Sequence, residues 1–549
     1  MRALLPILLL GCAEEKMNGD CREGTHRQRD GHCAPDETDS EPNPTDDTAE
    51  PEPDPTDDTG TAPPPDDSGE PWPPTPPWMS LADATITFEG GATGARVGRA
   101  AAGAGDVDGD GRADILIGAD RANSVDGEER GGWALLHLAA NLPDSGVVAV
   151  ETADARWIGN DEGELLGHNL GAGGDIDGDG VPDLLIAGYH APAGGHHKGT
   201  VYGIFGQNLT MGTHNIDDAD WAIDGTRDIE GMGHGMSTAG DVDGDGLSDV
   251  VMGGCCSFPP ELGRAWIVTA EHILSGPVDL NTHTPRWDGV LNDDQAGYKT
   301  SPVGDVDGDG LDDVAIGARL QDAGANRGGK VYIIFAASMP GVEIGSLADA
   351  DVHLPGTAIG GEHGYDIGPG GDIDGDGLTE VVTGAHQSSR NVVVGGEAMI
   401  FLGASMNASD EIPAEEADLR FITNEINHLL GVSVEGGMDF DGNGEVDLIL
   451  GASGMAPPTQ GESDEDEFDG MDSPGDAYLY WSDSLVPGVH DVTEADVHFE
   501  GEALMDHAGV RVTSPGDVDA DGSDDLLIGT ERGQTGVGRA YLLLGLRPE

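Results

Sequence analysis

Basic residues are scarce in this chain. It has only 25 lysine and arginine residues among 549, against 104 aspartate and glutamate residues, and its formal net charge is −79. A surface of that charge repels the phosphate backbone of DNA and RNA, so the composition excludes nucleic-acid binding. Such acids serve solubility, cation binding or both, and their positions along the chain indicate which.

Aromatic residues and long apolar runs are also lacking. Aromatics make up 5% of the chain, whereas glycine accounts for 89 residues, a composition typical of short strands joined by tight turns. After the N-terminus no segment approaches the roughly 18 unbroken apolar residues of a spanning helix, so we predict no transmembrane helix. A chain of this length is too long to form a single compact domain unless it is a repeat array.

The chain has only five cysteines. Cys21 and Cys33 flank a polar loop, and an even number remains once Cys12 is set aside, which fits an oxidising compartment. A Cys21–Cys33 disulfide is predicted, with two free thiols as the alternative. Cys255 and Cys256 are adjacent, and the sequence leaves open whether they form a vicinal disulfide, because neighbouring Cα atoms are closer than disulfides prefer.

The N-terminus has the pattern of an export signal. Residues 1–11 combine one positive charge with a short apolar run, which indicates a secretory signal peptide. The sequence Leu-Leu-Gly-Cys at residues 9–12 resembles the bacterial lipobox, which implies lipidation of Cys12. We therefore expect an exported lipoprotein of the bacterial outer membrane or cell surface, with secretion or an ordinary signal peptide as the alternative.

Two further segments precede the repeats. Residues 12–33 form the predicted lipidated N-terminus with its disulfide loop. Residues 34–78 are rich in proline, aspartate and threonine and contain no lysine or arginine, so they cannot bury enough apolar area to fold. We predict a disordered linker that holds the following region away from the membrane.

From residue 79 to residue 549 an acidic motif, Asp-x-Asp-x-Asp-Gly-x-x-Asp, recurs seven times with small departures. Successive copies are separated by 69, 66, 64, 67, 67 and 78 residues. Each interval holds about four short apolar segments bounded by turns. Radial arrays of four-stranded sheets form propellers, so we predict an all-β, seven-bladed β-propeller over residues 79–549.

The motif has the ligand spacing of a calcium loop. Ca²⁺ takes six to eight oxygens, and alternate residues of a curled loop point inward. Positions 1, 3, 5 and 9 thus supply side chains, position 6 is glycine, and position 7 offers its carbonyl. The predicted ligands, for up to seven Ca²⁺ ions, are Asp106, Asp108, Asp110 and Asp114; Asp175, Asp177, Asp179 and Asp183; Asp241, Asp243, Asp245 and Asp249; Asp305, Asp307, Asp309 and Asp313; Asp372, Asp374, Asp376 and Glu380; Asp439, Asp441, Asn443 and Asp447; and Asp517, Asp519, Asp521 and Asp525.

Two loops depart from the pattern, and two other interpretations compete. The fifth loop ends in the longer Glu380, and the sixth has the neutral Asn443, so we expect the sixth to bind calcium more weakly. Acidic turns without an ion are the alternative, but four converging carboxylates repel one another without a cation. An EF-hand is excluded because Ile117, at position 12 of the first loop, lies in an apolar run.

The phase of the repeats predicts how the array closes. The first copy is preceded by an edge strand at residues 84–88, and the last copy stops after its third strand, near Leu544. We expect the N-terminal strand to complete the last blade and leave no open edge.

The repeat resembles the FG-GAP repeat of integrin α-subunit heads. In the first copy its elements are Val97-Gly98, the loop from Gly105 to Gly111, Asp114 and Gly118-Ala119, and they recur in all seven copies. The resemblance implies a seven-bladed propeller with calcium loops on its lower face and partner binding on its upper face. Only some integrin blades carry the loop, whereas all seven do here, which favours a calcium-dependent bacterial relative without an integrin partner subunit.

No convincing nucleophile elbow, zinc helix or phosphate loop occurs in the sequence. We expect a monomeric extracellular head for binding or adhesion that recognises a glycan or protein and meets the membrane only through its lipid anchor. The alternative is a propeller-based surface enzyme acting on polysaccharide or phospholipid. His190, His196 and His197 are either transition-metal ligands or exposed loop residues, and the acidic insert 462–467 is predicted to be a solvated loop.

Overall fold

The computed structural model of the chain describes most residues from 78 onward and one short hairpin before them. The described residues are 25–27, 33–35, 78–91, 95–123, 130–191, 198–256, 262–282, 284–322, 325–339, 344–454, 473–531 and 538–545. The hairpin pairs Thr25–Arg27 with Cys33–Pro35 and belongs to a unit spanning Met1–Pro71; a second unit spans Trp72–Glu549. The predictions for Cys12 and for a Cys21–Cys33 disulfide involve residues outside the described ones.

The second unit contains seven sheets that share a set of four antiparallel strands, which confirms the predicted seven-bladed propeller. We number the blades 1 to 7 and letter their strands A to D from the centre outward. The strands A to D are, in blade 1, Ala101–Gly105, Asp114–Ala119, Trp133–His137 and Ala155–Ile158; in blade 2, Leu166–Gly174, Asp183–Gly188, Thr200–Ile204 and Trp221–Asp224; in blade 3, Met232–Gly240, Asp249–Gly254, Arg264–Val268 and Arg286–Asp288; in blade 4, Ala296–Gly304, Asp313–Ala318, Lys330–Ile334 and Val352–Pro355; in blade 5, Ile367–Gly371, Glu380–Gly384, Glu397–Phe401 and Leu419–Ile422; in blade 6, Leu430–Met438, Asp447–Ala452, Asp476–Tyr480 and Val497–Glu500; and in blade 7, Arg511–Gly516, Asp525–Thr530, Arg539–Leu543 and Ile86–Glu89.

The hydrophobic core lies between the blades. Each of seven apolar clusters joins two adjacent blades, and one of them joins blade 7 to blade 1. In the cluster between blades 1 and 2, Leu116 and Leu136 pack with Ile186. Strand B is covered on both faces, which explains why it is continuously apolar rather than alternating.

The ring closes through the N-terminal strand, as predicted from the repeat phase. Ile86–Glu89 pairs antiparallel with strand C of blade 7, and Phe88 lies opposite Ala540. Ile86 and Phe88 are buried in the cluster between blades 7 and 1. The last blade therefore has its fourth strand from the beginning of the propeller sequence.

Five blades carry an additional outer strand that the sequence did not predict. Each runs parallel to strand D and comes from the connection that leads into another blade's strand D, or, for blade 6, from the N-terminal segment. These strands are Gly212–Asn215 on blade 1, Ile344–Ser346 on blade 3, Gly488–Asp491 on blade 5, Trp78–Ser80 on blade 6 and Gly146–Ala149 on blade 7.

Helical segments are short and lie in the connections. In blades 3 and 5 an α-helix, Ala270–Leu274 or Gly403–Ala408, occupies the C–D connection that elsewhere forms the additional strand. No described helix has the length and apolar character needed to cross a membrane. The 3₁₀ turns are Leu81–Asp83, Ala139–Asn141, Val150–Thr152, Gly206–Asn208, Ile216–Asp218, Ala336–Ser338, Leu347–Asp349, Ala414–Glu416, Ser482–Ser484 and Val492–Glu494.

Candidate functional site

All seven acidic loops occupy the same place in their blades, between strand A and strand B. Their first carboxylate shapes the loop by accepting backbone N–H groups. In blade 1, Asp106 Oδ1 accepts from Gly109 N at 2.8 Å and Asp110 N at 3.0 Å, and Oδ2 accepts from Gly111 N at 2.8 Å. Gly111 has a φ of 88°, so the position favours glycine although no atom would obstruct a side chain.

In the first five loops the structure brings three carboxylates close enough to share a cation. In the first four loops, ligand atoms of positions 1, 3 and 9 lie within 4.8 Å of one another, as for Asp106, Asp108 and Asp114. In the fifth loop the grouped residues are those of positions 1, 3 and 5. Position 5 of the first loop, Asp110, accepts from Arg112 N at 2.9 Å instead.

Position 9 has a second role that sequence reasoning missed. Asp313 Oδ2 accepts from Val306 N at 2.9 Å, inside the acidic loop, and its Oδ1 accepts from Ala336 N at 2.8 Å, in the turn after strand C. The same pair of bonds recurs in every blade. Each position-9 carboxylate therefore ties its acidic loop to the backbone that follows strand C of the same blade.

Burial shifts the ionisation of these position-9 groups. It raises the pKa of Asp114 to about 6 and those of Asp313 and Glu380 to about 7, against the opposing effect of the backbone N–H bonds. Neighbouring loop carboxylates raise these pKa values further. A divalent cation would favour the ionised forms, so the donor set and its electrostatics fit a hard, oxygen-binding metal ion.

The two atypical loops keep the same framework. The longer Glu380 still reaches Ile373 N at 2.5 Å and Gly403 N at 3.5 Å. In the sixth loop, Asn443 Oδ1 accepts from Glu445 N at 2.6 Å, the bond that Asp110 makes in the first. Both departures are therefore compatible with the loop fold.

The other sequence candidates that the structure describes lie away from the acidic loops. Cys255 and Cys256, just after strand B of blade 3, are joined in a disulfide. His190 stacks on Tyr189 at 4.4 Å between ring centroids. His196, His197 and the insert 462–467 lie outside the described residues.

The opposite ends of the A strands surround the mouth of a central channel. A glycine with positive φ lies within three residues of the start of each strand A. At Gly98, φ is 84° and a Cβ would lie 2.1 Å from the carbonyl oxygen of Arg539. The A strands line a cavity of about 420 Å³. The residues that follow the seven glycines are Arg99, His168, His234, Tyr298, Tyr365, Val432 and Val510.

Comparison with known proteins identifies the repeat. The FG-GAP repeat family matches residues 97–132 and 296–334. Integrin alpha pat-2 of Caenorhabditis briggsae is 28% identical over 309 residues, which are 52% of this chain and 23% of the relative. Integrin alpha-PS2 of Drosophila melanogaster is 27% identical over 274 residues, 47% of this chain and 18% of the relative.

A human relative gives the same result. Integrin alpha-IIb of Homo sapiens is 29% identical over 202 residues, 34% of this chain and 18% of the relative. The chain thus spans about a fifth of the length of the curated relatives it matches. The repeats, the seven blades and the similarities agree that the chain folds as an integrin alpha-like β-propeller, with FG-GAP repeats at residues 97–132 and 296–334.

Proposed function

We propose that this protein is a calcium-stabilised extracellular module for binding or adhesion that recognises a glycan or protein. The observation that supports it is that the two ends of strand A differ in composition and contacts. Seven acidic loops lie at one end, each tied into its blade by the position-9 carboxylate, and the other end is left for contacts with partners. Calcium bound at one end would hold the blades rigid and so preorganise the other.

The buried carboxylates at that other end support binding rather than catalysis. Glu164 Oε2 accepts from Asn160 N at 2.7 Å, and Asp294 Oδ2 accepts from Val290 N at 3.1 Å. Each of these acids braces the backbone of its own loop. Because these two described carboxylates are used to stabilise loop structure, we favour a binding function over the propeller-based enzyme.

The N-terminal sequence and the integrin similarity support an extracellular setting for this proposed function. Export, lipidation at Cys12 and the linker 34–78 would place the propeller outside the cell on a spacer. Membrane contact would then run through the lipid anchor alone, with the propeller as a monomeric head.

A binding screen of the full chain tests this proposal. Glycan and matrix-protein arrays are probed with the purified protein in calcium and in chelator, and the retained ligands are then assayed for cleavage. Calcium-dependent binding without product supports the proposal. Product formation would favour the enzyme instead, and absence of binding in both buffers would contradict both.

A pair of matched variants tests whether the acidic loops cause the calcium dependence of binding. Asp305→Asn removes a charge from the fourth loop, and Asp217→Asn removes one from an exposed 3₁₀ turn outside the loops. We expect the first to raise the calcium concentration needed for binding and the second to leave it unchanged. Equal effects of the two variants would mean that net charge, and not the loops, governs the calcium dependence.

A further inference from the structure

Tyrosine is distributed unevenly in this aromatic-poor chain. Of its eight tyrosines, five lie in C strands inside the blades: Tyr202, Tyr332, Tyr478, Tyr480 and Tyr541. The other three, Tyr189, Tyr298 and Tyr365, lie near the channel mouth, at the end opposite the acidic loops. The blade cores therefore do not account for these three residues.

The three tyrosines belong to a continuous series of rings across blades 2 to 5. The centroid of His168 lies 4.5 Å from that of Tyr189, which lies 5.3 Å from that of His234. The separations continue at 4.0 Å to Tyr298, 5.4 Å to Tyr365 and 3.8 Å to His386. We call these six residues the aromatic crescent.

Neighbouring blades hold the crescent in place. His234 Nδ1 lies 2.8 Å from the carbonyl oxygen of Tyr298, and Asn169 Nδ2 donates to the carbonyl oxygen of His234 at 3.0 Å. The guanidinium of Arg319 lies 4.0 Å from the ring centroid of Tyr298. The rings are thus ordered before any ligand arrives, which lowers the entropy cost of binding.

The charges around the crescent are paired within the chain. Arg319 Nη1 is 3.0 Å from Glu362 Oε2, and Lys299 Nζ is 2.7 Å from Asp366 Oδ1. Asp120 Oδ2 lies 3.1 Å from His168 Nδ1. The positive charge of Arg319 lies beside the rings of Tyr298 and Tyr365, at 4.0 Å and 5.6 Å from their centroids, and it disfavours a cationic ligand. The net charge of −79 disfavours a polyanion.

We propose that the aromatic crescent binds an uncharged carbohydrate, with a pyranose ring against Tyr298 and Tyr365. A pyranose has an apolar C–H face and a rim of hydroxyls. The aromatic rings would pack against the C–H face of the sugar. The hydroxyls of Thr300 and Ser301, which line the adjoining channel, would lie near the sugar hydroxyls. The channel cavity of about 420 Å³ is lined by the A strands and not by the six crescent residues, so its volume does not measure the crescent itself. This inference rests on the proposed binding function and names its site and ligand class.

Affinity electrophoresis of the full chain in calcium tests the inference. The gels contain dextran, mannan or galactan as neutral polysaccharides, or alginate as an acidic one. We expect at least one neutral polysaccharide to retard the protein, and alginate not to. The Tyr298→Ala and Tyr365→Ala double variant should bind at least tenfold more weakly, and the corresponding double phenylalanine variant, which keeps both rings, should bind within about threefold of the native chain.

The outcomes separate this inference from the proposed function. Melting temperatures measured in calcium show whether the alanine variant is folded; if it is not, the single Tyr298→Ala and Tyr298→Phe variants replace it. Retention of wild-type affinity by a folded alanine variant overturns the crescent as the site. Binding only to alginate or to matrix proteins overturns the neutral ligand but leaves the proposed function standing, and binding to nothing overturns both.

Discussion

Removal of the proposed loop calcium is the perturbation with the largest expected effect on this fold. In each of the first four loops, three carboxylates have oxygens within 4.8 Å of one another. Each pair of charges at that distance repels by about 3.5 kcal/mol at an effective dielectric constant of 20, and by about 0.9 kcal/mol at that of water. The loops are partly exposed, so the lower value applies to their outer residues and the higher to the buried position 9.

Mass action gives a second measure of the same effect. A ligand present at one hundred times its dissociation constant stabilises the folded state by about 2.7 kcal/mol for each site. Two or three occupied loops would therefore equal the whole stability of an ordinary domain, which is about 5–15 kcal/mol. Because each loop is tied into its own blade, we expect the loss to spread around the ring.

Thermal unfolding of the full chain in millimolar calcium and in excess chelator measures the effect. We expect the melting temperature to fall by tens of degrees on chelation, and added sodium chloride to recover only part of the loss because it screens only exposed charges. A change of less than about 2 °C would refute the reasoning and would mean that the acidic loops do not depend on a removable cation.

Three further predictions concern single groups. Asp313→Asn should lower the free energy of unfolding in calcium by about 2–3 kcal/mol, as measured by chemical unfolding. The two carboxylate oxygens of Asp313 each accept a buried backbone N–H group, whereas an amide has only one oxygen to accept them. Asn443→Asp should raise the calcium affinity of the sixth loop, as titration calorimetry would show, whereas unchanged affinity would contradict the role of ligand charge. Burial lowers the pKa of His137 and His363 to about 4 and that of His386 to about 3. Stability in saturating calcium should therefore fall as the pH drops below 6.5, by about 1.4 kcal/mol per unit for each histidine, because only the unfolded state takes up the proton; substituting all three by glutamine should flatten the slope.

The repeat could be predicted from the sequence because the same short-range sequence features recur in each copy. Aspartate spacing, a glycine at position 6 and a following apolar strand are short-range features, and seven evenly spaced copies leave a propeller as the simplest closed array. The closing strand followed from the phase of the repeats. These parts of the fold required no knowledge of contacts between blades.

The remaining features depend on contacts between blades, or on contacts within one blade between residues that are distant in the sequence. The additional strand Gly212–Asn215 pairs with blade 1 although it belongs to the next repeat, and its sequence has no apolar alternation to mark it. The second bond of Asp313, to Ala336, forms across 23 residues. The crescent gathers six residues from four repeats, one or two from each, so no local pattern predicts it.

The closing strand also predicts where the ring is most sensitive to mutation. Phe88 is completely buried between blades 7 and 1, whereas Val147, on the adjacent additional strand of the same blade, is 68% exposed. Phe88→Ala should cost about 3–5 kcal/mol, since it leaves a cavity in the cluster that joins the two ends of the chain. Val147→Ala should change stability by less than about 0.5 kcal/mol.

Chemical unfolding of both variants in saturating calcium, followed by light scattering, tests this sensitivity. If closure depends on the N-terminal strand, Phe88→Ala should also aggregate, because release of the strand exposes the edge of Arg539–Leu543. Equal stability losses in the two variants, or a destabilised Phe88→Ala that stays monomeric through unfolding, would argue against this mechanism. The ring would then be held by the packing between blades and not by the exchange of a strand.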